Sequence, residues 1–421
     1  MAQLDQVTLD AVVGEIRDVE NIYPLSPVQE GMLFHSLMEP DSWVYFDQVS
    51  VDLGSHLDAK SFEKAWEIIY QRHPILRSSC LWQEVARPLQ MVRQSISLPF
   101  VALDWSSSGE GLAEAKVDQR LQQFLEDDRN TGFDFSISSI SRLVLIKLPS
   151  GRYQFIWSFH HILLDGWSMP LVFGELFAVY EKLCDVKIED QRNPDQKTHQ
   201  PPDVFPGLAI APKYEKYIEW LESNDGDEAE LFWKDYLLGF TAPTPLIINN
   251  SIAEVAQYQK DSSGGQILQG FWGILLSRYS GESDVCFGTT VSGRPAEVPG
   301  IESMVGLFIN TLPMRLQVVE EQSFVSWCQA TQQTQLPLKN YESSSLVDIQ
   351  RWSDVPSKSP LFNSILVFEN YPVDSALKAY QESLGVGDIA SFQQTNFPLT
   401  LIALPGEDFV LRFSFDSFVF Q

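Results

Sequence analysis

The sequence predicts an α/β protein, an α+β sandwich of sheets and helices whose chain folds as two lobes. Strand-like and helix-like stretches alternate from end to end. The 421 residues are more than one ordinary hydrophobic core holds. A polar, proline-rich stretch at residues 189–212 interrupts the alternation and is typical of a linker. We therefore predict an N-terminal lobe at residues 1–188, this linker, and a C-terminal lobe at residues 213–421.

Amphipathic spacing predicts helices in both lobes. In FEKAWEIIYQR, residues 62–72, apolar side chains recur along one helical face. Ser168 is expected to be the N-cap of a second helix, with Pro170 in its first turn. That helix is expected to bury four side chains: Leu171, Leu176, Phe177 and Tyr180. After the linker, KYEKYIEWLES and EAELFWKDYLLG predict two more helices.

Runs rich in β-branched and aromatic residues predict the strands. Residues 142–147 and 152–161 are two of them, joined by the Pro-Ser-Gly turn at residues 149–151. In the C-terminal lobe, SDVCFGTTVSGRP and PLFNSILVFENYP contain apolar runs of the kind that buried strands require.

Composition excludes several classes of partner. With 29 basic and 56 acidic residues, the net charge of −27 repels phosphate backbones, so no nucleic-acid binding is expected. The four cysteines lie far apart and form no C-x-x-C pair, which argues against a structural zinc site. This pattern also favours a reducing, cytoplasmic compartment. No signal peptide and no stretch of membrane-spanning length is found, so no membrane contact is expected.

Two adjacent histidines end a predicted strand in SFHHILLDGWS, residues 158–168. Since neighbouring side chains of a strand point to opposite faces, His161 falls on the face with the aromatic residues of the strand and His160 on the other. The pair cannot easily bind one metal ion, and we expect no metal site. A buried histidine is most often a core residue, but the position before an Asp-Gly turn favours a catalytic role.

A histidine held neutral by an apolar wall is suited to accepting a proton from an amine or hydroxyl nucleophile. Asp165 is either a second acid–base group or holds the loop in shape through an arginine. Gly166 permits the tight turn. We find no G-x-S-x-G elbow and no phosphate-binding loop. GVGDIA, residues 385–390, superficially matches a dinucleotide fingerprint, but no convincing strand precedes it, and we predict a surface loop.

HHILLDGWS fits the H-H-x-x-x-D-G pattern of the chloramphenicol-acetyltransferase-like superfamily, and nearly the whole chain resembles the condensation domains of nonribosomal peptide synthetases. The resemblance extends through an ordered series of motifs, which is far more specific than the histidine motif alone. The series comprises IYPLSPVQEGMLFHSL, QRHPILRSS, YEKYIEWL, VSGRP, VGLFINTLPMR, KNYESSSLVDIQRWSDVP and SPLFNSILVFENYP.

The resemblance implies two chloramphenicol-acetyltransferase-like lobes in a V-shaped pseudo-dimer with a central tunnel. An upstream donor and a downstream acceptor peptidyl carrier domain would each present a thioester on a 4′-phosphopantetheine arm, and the domain itself would bind no cofactor. The acceptor amine would attack the donor thioester and form a peptide bond. An adenylation domain would be a neighbour, and the excised domain would be a monomer.

The resemblance also assigns roles to the residues of the motif. His161 would be the functional histidine, acting as a general base or by positioning the amine. His160 and Gly166 would shape the catalytic loop. Asp165 would be structural, in a salt bridge with Arg294 of VSGRP.

Further residues would complete the site. Trp167 would support it from within the motif. Three residues would line the substrate tunnel: Ser168, Ser292 and Asn310.

Two details refine the resemblance. The DGWS sequence looks most like the condensing type that accepts an L-configured donor residue. Near Ser263–Gly264 the chain skips a stretch of about one helix that the family has, and it stops before a last helix expected after Gln421. We predict that the printed chain omits residues of its parent protein, with a break at Ser263–Gly264.

Other functions stay open at this point. The same fold could form esters with a hydroxyl nucleophile or epimerise a residue. A non-catalytic recruitment domain would normally have a degraded histidine motif, which is intact here. A stand-alone acyltransferase that uses coenzyme A would not explain the whole series of motifs.

Overall fold

The computed structural model describes residues 18–40, 42–106, 114–137, 139–192, 210–224, 226–246, 264–319, 321–369, 384–405 and 409–416. The α-helices in these ranges are α1 (Pro27–Met38), α2 (Ala59–Arg72), α3 (Glu114–Thr131), α4 (Ser168–Arg192), α5 (Glu215–Ser223), α6 (Gly226–Tyr236), α7 (Gly264–Ser280), α8 (Phe324–Gln335) and α9 (Leu346–Trp352). The strands are β1 (Val19–Pro24), β2 (Phe46–Leu53), β3 (Ser78–Leu81), β4 (Leu89–Arg93), β5 (Phe100–Asp104), β6 (Ser141–Lys147), β7 (Tyr153–His160), β8 (Asp284–Val291), β9 (Asn310–Gln317), β10 (Ser364–Phe368), β11 (Ile389–Phe392), β12 (Leu399–Leu404) and β13 (Val410–Phe415).

Two compact units divide these elements. The first contains the described residues up to 222 together with residues 295–307 and 384–394. It holds a five-stranded sheet of order β11-β2-β7-β6-β5 and a three-stranded sheet of order β1-β4-β3. Strand β7 lies at the centre of the larger sheet, antiparallel to both β2 and β6.

Aromatic side chains form the core on one face of β7. The ring centroid of Phe155 lies 5.1 Å from that of Phe62 of α2, and the ring centroid of Trp157 lies 5.0 Å from that of Trp66 of the same helix. Phe173 of α4 contacts both rings, with its centroid 5.7 Å from that of Trp157 and 6.5 Å from that of Trp66. Burying a side chain of this size stabilises the fold by roughly 1.5–3 kcal/mol. The helical face predicted for residues 62–72 is therefore confirmed.

The helix predicted after Ser168 is also confirmed, with two differences. Leu176, Phe177 and Tyr180 are buried, whereas Leu171 is only half-buried. The helix also continues to Arg192, into the range predicted as the linker, because Glu, Gln and Arg are good helix formers. Residues 193–209 of that range lie outside the described residues, and the three predicted domain ranges stay a prediction.

The second unit holds the other five-stranded sheet, of order β13-β12-β10-β8-β9. Strands β8, β10 and β12 run parallel, and antiparallel strands flank them on both sides. The buried strands predicted in SDVCFGTTVSGRP and PLFNSILVFENYP are β8 and β10. Phe287 of β8, Trp233 of α6 and Trp272 of α7 are buried in the same core cluster.

The surface loop predicted for GVGDIA is found only at residues 385–388, where Gly387 and Asp388 are exposed. Leu384 and Val386 are buried, and the chain continues into β11, which pairs antiparallel with β2. The two backbones approach closely: a Cβ atom on Gly54 would lie 2.8 Å from the Leu384 carbonyl oxygen, and Gly385 has φ of +60°. Glycines here serve backbone packing, a use that sequence spacing does not distinguish from a turn.

Within the described ranges, every helix is too short or too polar to cross a membrane.

Candidate functional site

The histidine pair lies where β7 leaves the sheet. His160 is the last residue of the strand and is opposite Phe46 of β2. The strand was predicted to include His161, but β7 ends one residue earlier. Beyond it, the His161 N–H donates to the Tyr45 carbonyl oxygen at 2.8 Å. Tyr45 has φ of +61°, a left-handed conformation that is uncommon outside glycine, and it belongs to the turn that precedes β2.

His160 is enclosed by aromatic rings. Its ring centroid lies 4.8 Å from that of Phe135, 6.0 Å from Tyr45 and 6.4 Å from Phe133. Burial, and secondarily the nearby charge of His161, lower the pKa of His160 to about 3. The ring is therefore neutral near pH 7. The apolar wall expected around the functional histidine surrounds His160.

Hydrogen bonds also determine the tautomer of His160. Its Nδ1 accepts from the Ile162 N–H at 3.1 Å, so the ring proton is on Nε2. Nε2 lies 2.9 Å from Oγ of Ser36, and Ser36 donates its own hydroxyl proton to the Met32 carbonyl oxygen. Both ring nitrogens are thus engaged, which supports the loop-shaping role expected of His160 and leaves no basic lone pair on it for catalysis.

His161 has a different environment. Its Nδ1 lies 2.6 Å from Oδ2 of Asp47 on β2. The Asp47 side chain is 6% exposed and that of His161 is 17% exposed, so the imidazole lies between a buried carboxylate and the accessible surface.

The Asp-Gly turn is anchored to a distant segment of the first unit. Oδ1 of Asp165 accepts from both the backbone N–H and the hydroxyl of Ser168, at 2.9 and 2.8 Å. The Asp165 N–H donates to the Gly306 carbonyl oxygen, and the Gly306 N–H donates to the Ser168 hydroxyl. Asp165, predicted as structural, therefore supplies the side-chain acceptor at the start of α4 that was expected of Ser168.

The two residues between Asp165 and Ser168 complete this turn. Gly166 is half-buried within it. The Trp167 indole N–H donates to the Glu302 carbonyl oxygen at 3.4 Å, a long bond on an exposed side. Both residues lie where the motif placed them, at the entry to α4.

Arg294 belongs to the second unit, and the predicted salt bridge to Asp165 stays a prediction. Within its own unit the Arg294 guanidinium lies 4.0 Å from the centre of the Phe308 ring. Gly293 before it has φ of +58°, and a Cβ atom there would lie 1.7 Å from the Phe308 carbonyl oxygen. VSGRP therefore requires its glycine for close backbone packing.

The residues predicted to line a tunnel divide between the two units. Ser168 is buried in the first unit and bonded as described above. In the second unit, Ser292 is exposed, and the Asn310 amide donates to the carbonyl oxygens of Glu342 and Ser344, at 2.8 and 2.7 Å. Their part in a tunnel stays a prediction.

A cavity of about 330 Å³ lies beside His160 in the first unit. Aromatic and aliphatic side chains form most of its wall, with two carboxylates and two hydroxyls. The lining residues are Ser36, Leu37, Glu39, Pro40, Ser42, Val44, Phe46, Trp82, Gly132, Phe133, Asp134, Phe135 and His160.

Sequence reasoning missed Asp47 and Ser36. A signal for Asp47 was present, since it shares its strand face with Val49, Val51 and Leu53, all buried hydrophobic residues. A carboxylate on such a face requires a partner, although the sequence does not say which. Ser36 is a half-buried residue of α1 and carries no comparable signal.

Comparison with known proteins identifies the family. The model of the condensation domain family matches residues 19–264 and 247–421. The chain belongs to this family. The two matched stretches of the condensation domain overlap at residues 247–264. The predicted omission at Ser263–Gly264 involves residues outside the described ranges and stays a prediction, as does the one after Gln421.

The condensation domain is similar to parts of very large proteins. It is 37% identical over 444 residues to one component of linear gramicidin synthase of Brevibacillus parabrevis, covering 99% of this chain and 5% of that protein. The identity with chondramide synthase of Chondromyces crocatus is 36% over 476 residues, which cover 99% of this chain and 12% of that protein. The identity with one component of mycosubtilin synthase of Bacillus subtilis is 34% over 447 residues, which cover 100% of this chain and 16% of that protein. The chain therefore spans a small fraction of each relative.

Solved structures confirm the fold. A variant of the starter condensation domain of rhizomide synthetase superposes with a TM-score of 0.74 at 16% identity, covering 94% of this chain and 91% of that one. A protein designated CT superposes with a TM-score of 0.73 at 19% sequence identity, covering 100% of this chain and 92% of that one. The predicted chloramphenicol-acetyltransferase-like α/β fold is confirmed, and the V-shaped pseudo-dimer with its tunnel stays a prediction.

Proposed function

We propose that this condensation domain forms a peptide bond between a donor aminoacyl or peptidyl thioester and the amine of an acceptor aminoacyl thioester. The observation that carries the proposal is the arrangement at the end of β7. His160 is closed off by its own hydrogen bonds, whereas His161 is held by Asp47 and keeps part of its side chain accessible. The relatives named as gramicidin and mycosubtilin synthases support the same reaction.

The chemistry requires little more than a positioned imidazole. The acceptor amine attacks the thioester carbonyl carbon, a C–N bond forms, and the C–S bond breaks. The proton lost by the amine reaches the thiolate of the donor arm, so the step is balanced without a co-reactant. His161 accepts that proton in passing, or it orients the amine by a hydrogen bond.

The partners follow from the substrates. Both thioesters are carried on 4′-phosphopantetheine arms, which belong to an upstream donor and a downstream acceptor carrier domain and arrive as part of the substrate. An adenylation domain is the neighbouring domain. The DGWS sequence supports an L-configured donor residue, and the Asp165 hydrogen bonds support a structural role for that residue.

The test is a single-turnover assay with aminoacyl-loaded donor and acceptor carriers, in which carrier-bound dipeptide is detected by mass and its chirality is determined. We expect His161→Ala to lower the rate roughly 10²-fold or more. Because alanine leaves the Asp47 carboxylate buried without its histidine, His161→Asn, which retains an N–H donor, is assayed as well. His56→Ala, a change at an exposed histidine of the same unit, is the control and should match wild type.

Three other results would change the proposal. Equal dipeptide from wild type and both His161 variants would mean that substrate positioning alone drives the reaction. An ester product with a hydroxyl acceptor, or an inverted residue, would assign one of the sister reactions. No product while both carriers still bind would indicate a recruitment domain.

A further inference from the structure

Asp47 lies in an unusual place for a carboxylate. Strand β2 pairs with β7 so that Asp47 is opposite Phe159, and His161 follows two residues later on the same side. The other β2 residues on that face, Val49, Val51 and Leu53, are buried hydrophobic residues. Only a hydrogen-bonded partner offsets the cost of a buried charge, and an apolar residue of similar size would normally be at least as stable there. The position of Asp47 is therefore poorly explained by stability alone.

The bond to His161 has a definite chemical consequence. An ionised carboxylate is only an acceptor, so Nδ1 of His161 must carry the proton that joins it to Oδ2 of Asp47 at 2.6 Å. In the neutral ring the basic lone pair then belongs to Nε2. If Nε2 accepts a proton, the positive ring charge forms next to the carboxylate, which stabilises it.

The adjacent histidine shows that this tautomer is not a default. At His160 the Ile162 N–H donates to Nδ1, so that ring carries its proton on Nε2. The two imidazoles therefore hold opposite tautomers, and the difference arises from one carboxylate on β2 and one backbone N–H after the strand.

We propose that Asp47 is the positioning residue of the condensation site, which holds His161 in the Nδ1–H tautomer with Nε2 as its basic nitrogen. The kinetic consequence of this inference rests on the proposed function, while the tautomer itself does not. Asp47→Asn keeps the shape of the side chain but presents an amide N–H that can donate to Nδ1, which favours the opposite tautomer and removes the negative charge.

The experiment combines two readouts on the whole protein. Nitrogen-15 labelling of the six histidines gives ring shifts that distinguish Nδ1–H from Nε2–H, and the His161 signals are assigned by their loss in His161→Asn. We expect the Nδ1–H form in wild type and the Nε2–H form in Asp47→Asn. The single-turnover rate should fall roughly 10²-fold with little change in the substrate concentration for half-saturation, and the acid limb of its pH profile should shift.

Glu175→Gln is the matched control. Glu175 of α4 forms a bond of 2.7 Å with Nε2 of the buried His73, in the same unit. Removing its charge breaks a similar histidine–carboxylate pair and also the ion pair between Arg72 and Glu175. Thermal stability should therefore fall, whereas the His161 ring shifts and the dipeptide rate should stay those of wild type.

The outcomes separate the two proposals. A wild-type His161 in the Nε2–H form would overturn the inference, and this readout decides the matter if Asp47→Asn fails to fold. A folded Asp47→Asn with the wild-type rate, beside an inactive His161→Asn, would overturn the inference and leave the proposed function intact. If the wild type is inactive but its His161 is in the Nδ1–H form, the proposed function is overturned. The inference that Asp47 sets the tautomer of His161 would then still stand.

Discussion

The two adjacent histidines at the end of strand β7 have different surroundings. On one face His160 is buried among aromatic rings and both its nitrogens are hydrogen-bonded. Past the strand end, His161 meets a buried carboxylate and keeps 17% of its side chain exposed. Residues adjacent in sequence thus differ in tautomer, exposure and chemistry, because each takes its partners from other elements.

The strongest way to break this comparison is to remove the enclosed ring. His160→Ala should lower the free energy of unfolding by about 4 kcal/mol, because it opens a cavity and leaves the Ile162 N–H without its acceptor. Urea unfolding measures the change. His160→Asn, which keeps an acceptor close to that N–H, should lose less. Equal stability of wild type and His160→Ala would show that this face is not structural.

The turn after the two histidines provides the next largest effect. Asp165→Ala should cost about 2 kcal/mol, because the Ser168 N–H and hydroxyl lose the carboxylate and keep only the carbonyl oxygens of residue 165 and Gly306 as acceptors. Thermal unfolding and the dipeptide assay are measured together, and both should fall.

Trp167→Phe is the control for that turn, since it removes the long, exposed bond to Glu302, keeps an aromatic ring and should change stability by less than Asp165→Ala does. Normal thermal stability of Asp165→Ala with lost activity would assign Asp165 to the chemistry and contradict its structural role.

A third test, whose effect is small near neutral pH and grows as the pH falls, sharpens the comparison. The pKa of His160 is lowered from 6.5 to about 3, chiefly by burial, so below pH 6.5 the unfolded chain binds a proton that the folded chain does not. Stability contributed by the neutral ring should therefore fall by up to about 1.4 kcal/mol per pH unit from pH 6.5 down to about 3. The difference in unfolding free energy between wild type and His160→Asn, measured across this range, isolates this contribution. A constant difference would mean that the folded protein protonates His160 readily.

Much of the fold could be predicted from local patterns. The helical face of residues 62–72 and the buried strands β8 and β10 followed from spacing and residue type, since both depend on short-range periodicity. The residue at which β7 ends, and the strand β11 that begins within GVGDIA, could not be predicted in this way. Both depend on pairing with β2, which is distant in sequence from β7 and from β11.

The candidate site divides in the same way. The H-H-x-x-x-D-G motif and its companion motifs were enough to single out His161 and to predict the family, because those residue types stand in a fixed order along the chain. Asp47 is 114 residues from His161, and Ser36 is 124 residues from His160. By itself the sequence determined which residues are present and which local elements they form. Only the tertiary structure decided which imidazole is enclosed and which faces a carboxylate, because strand register between distant segments sets those contacts.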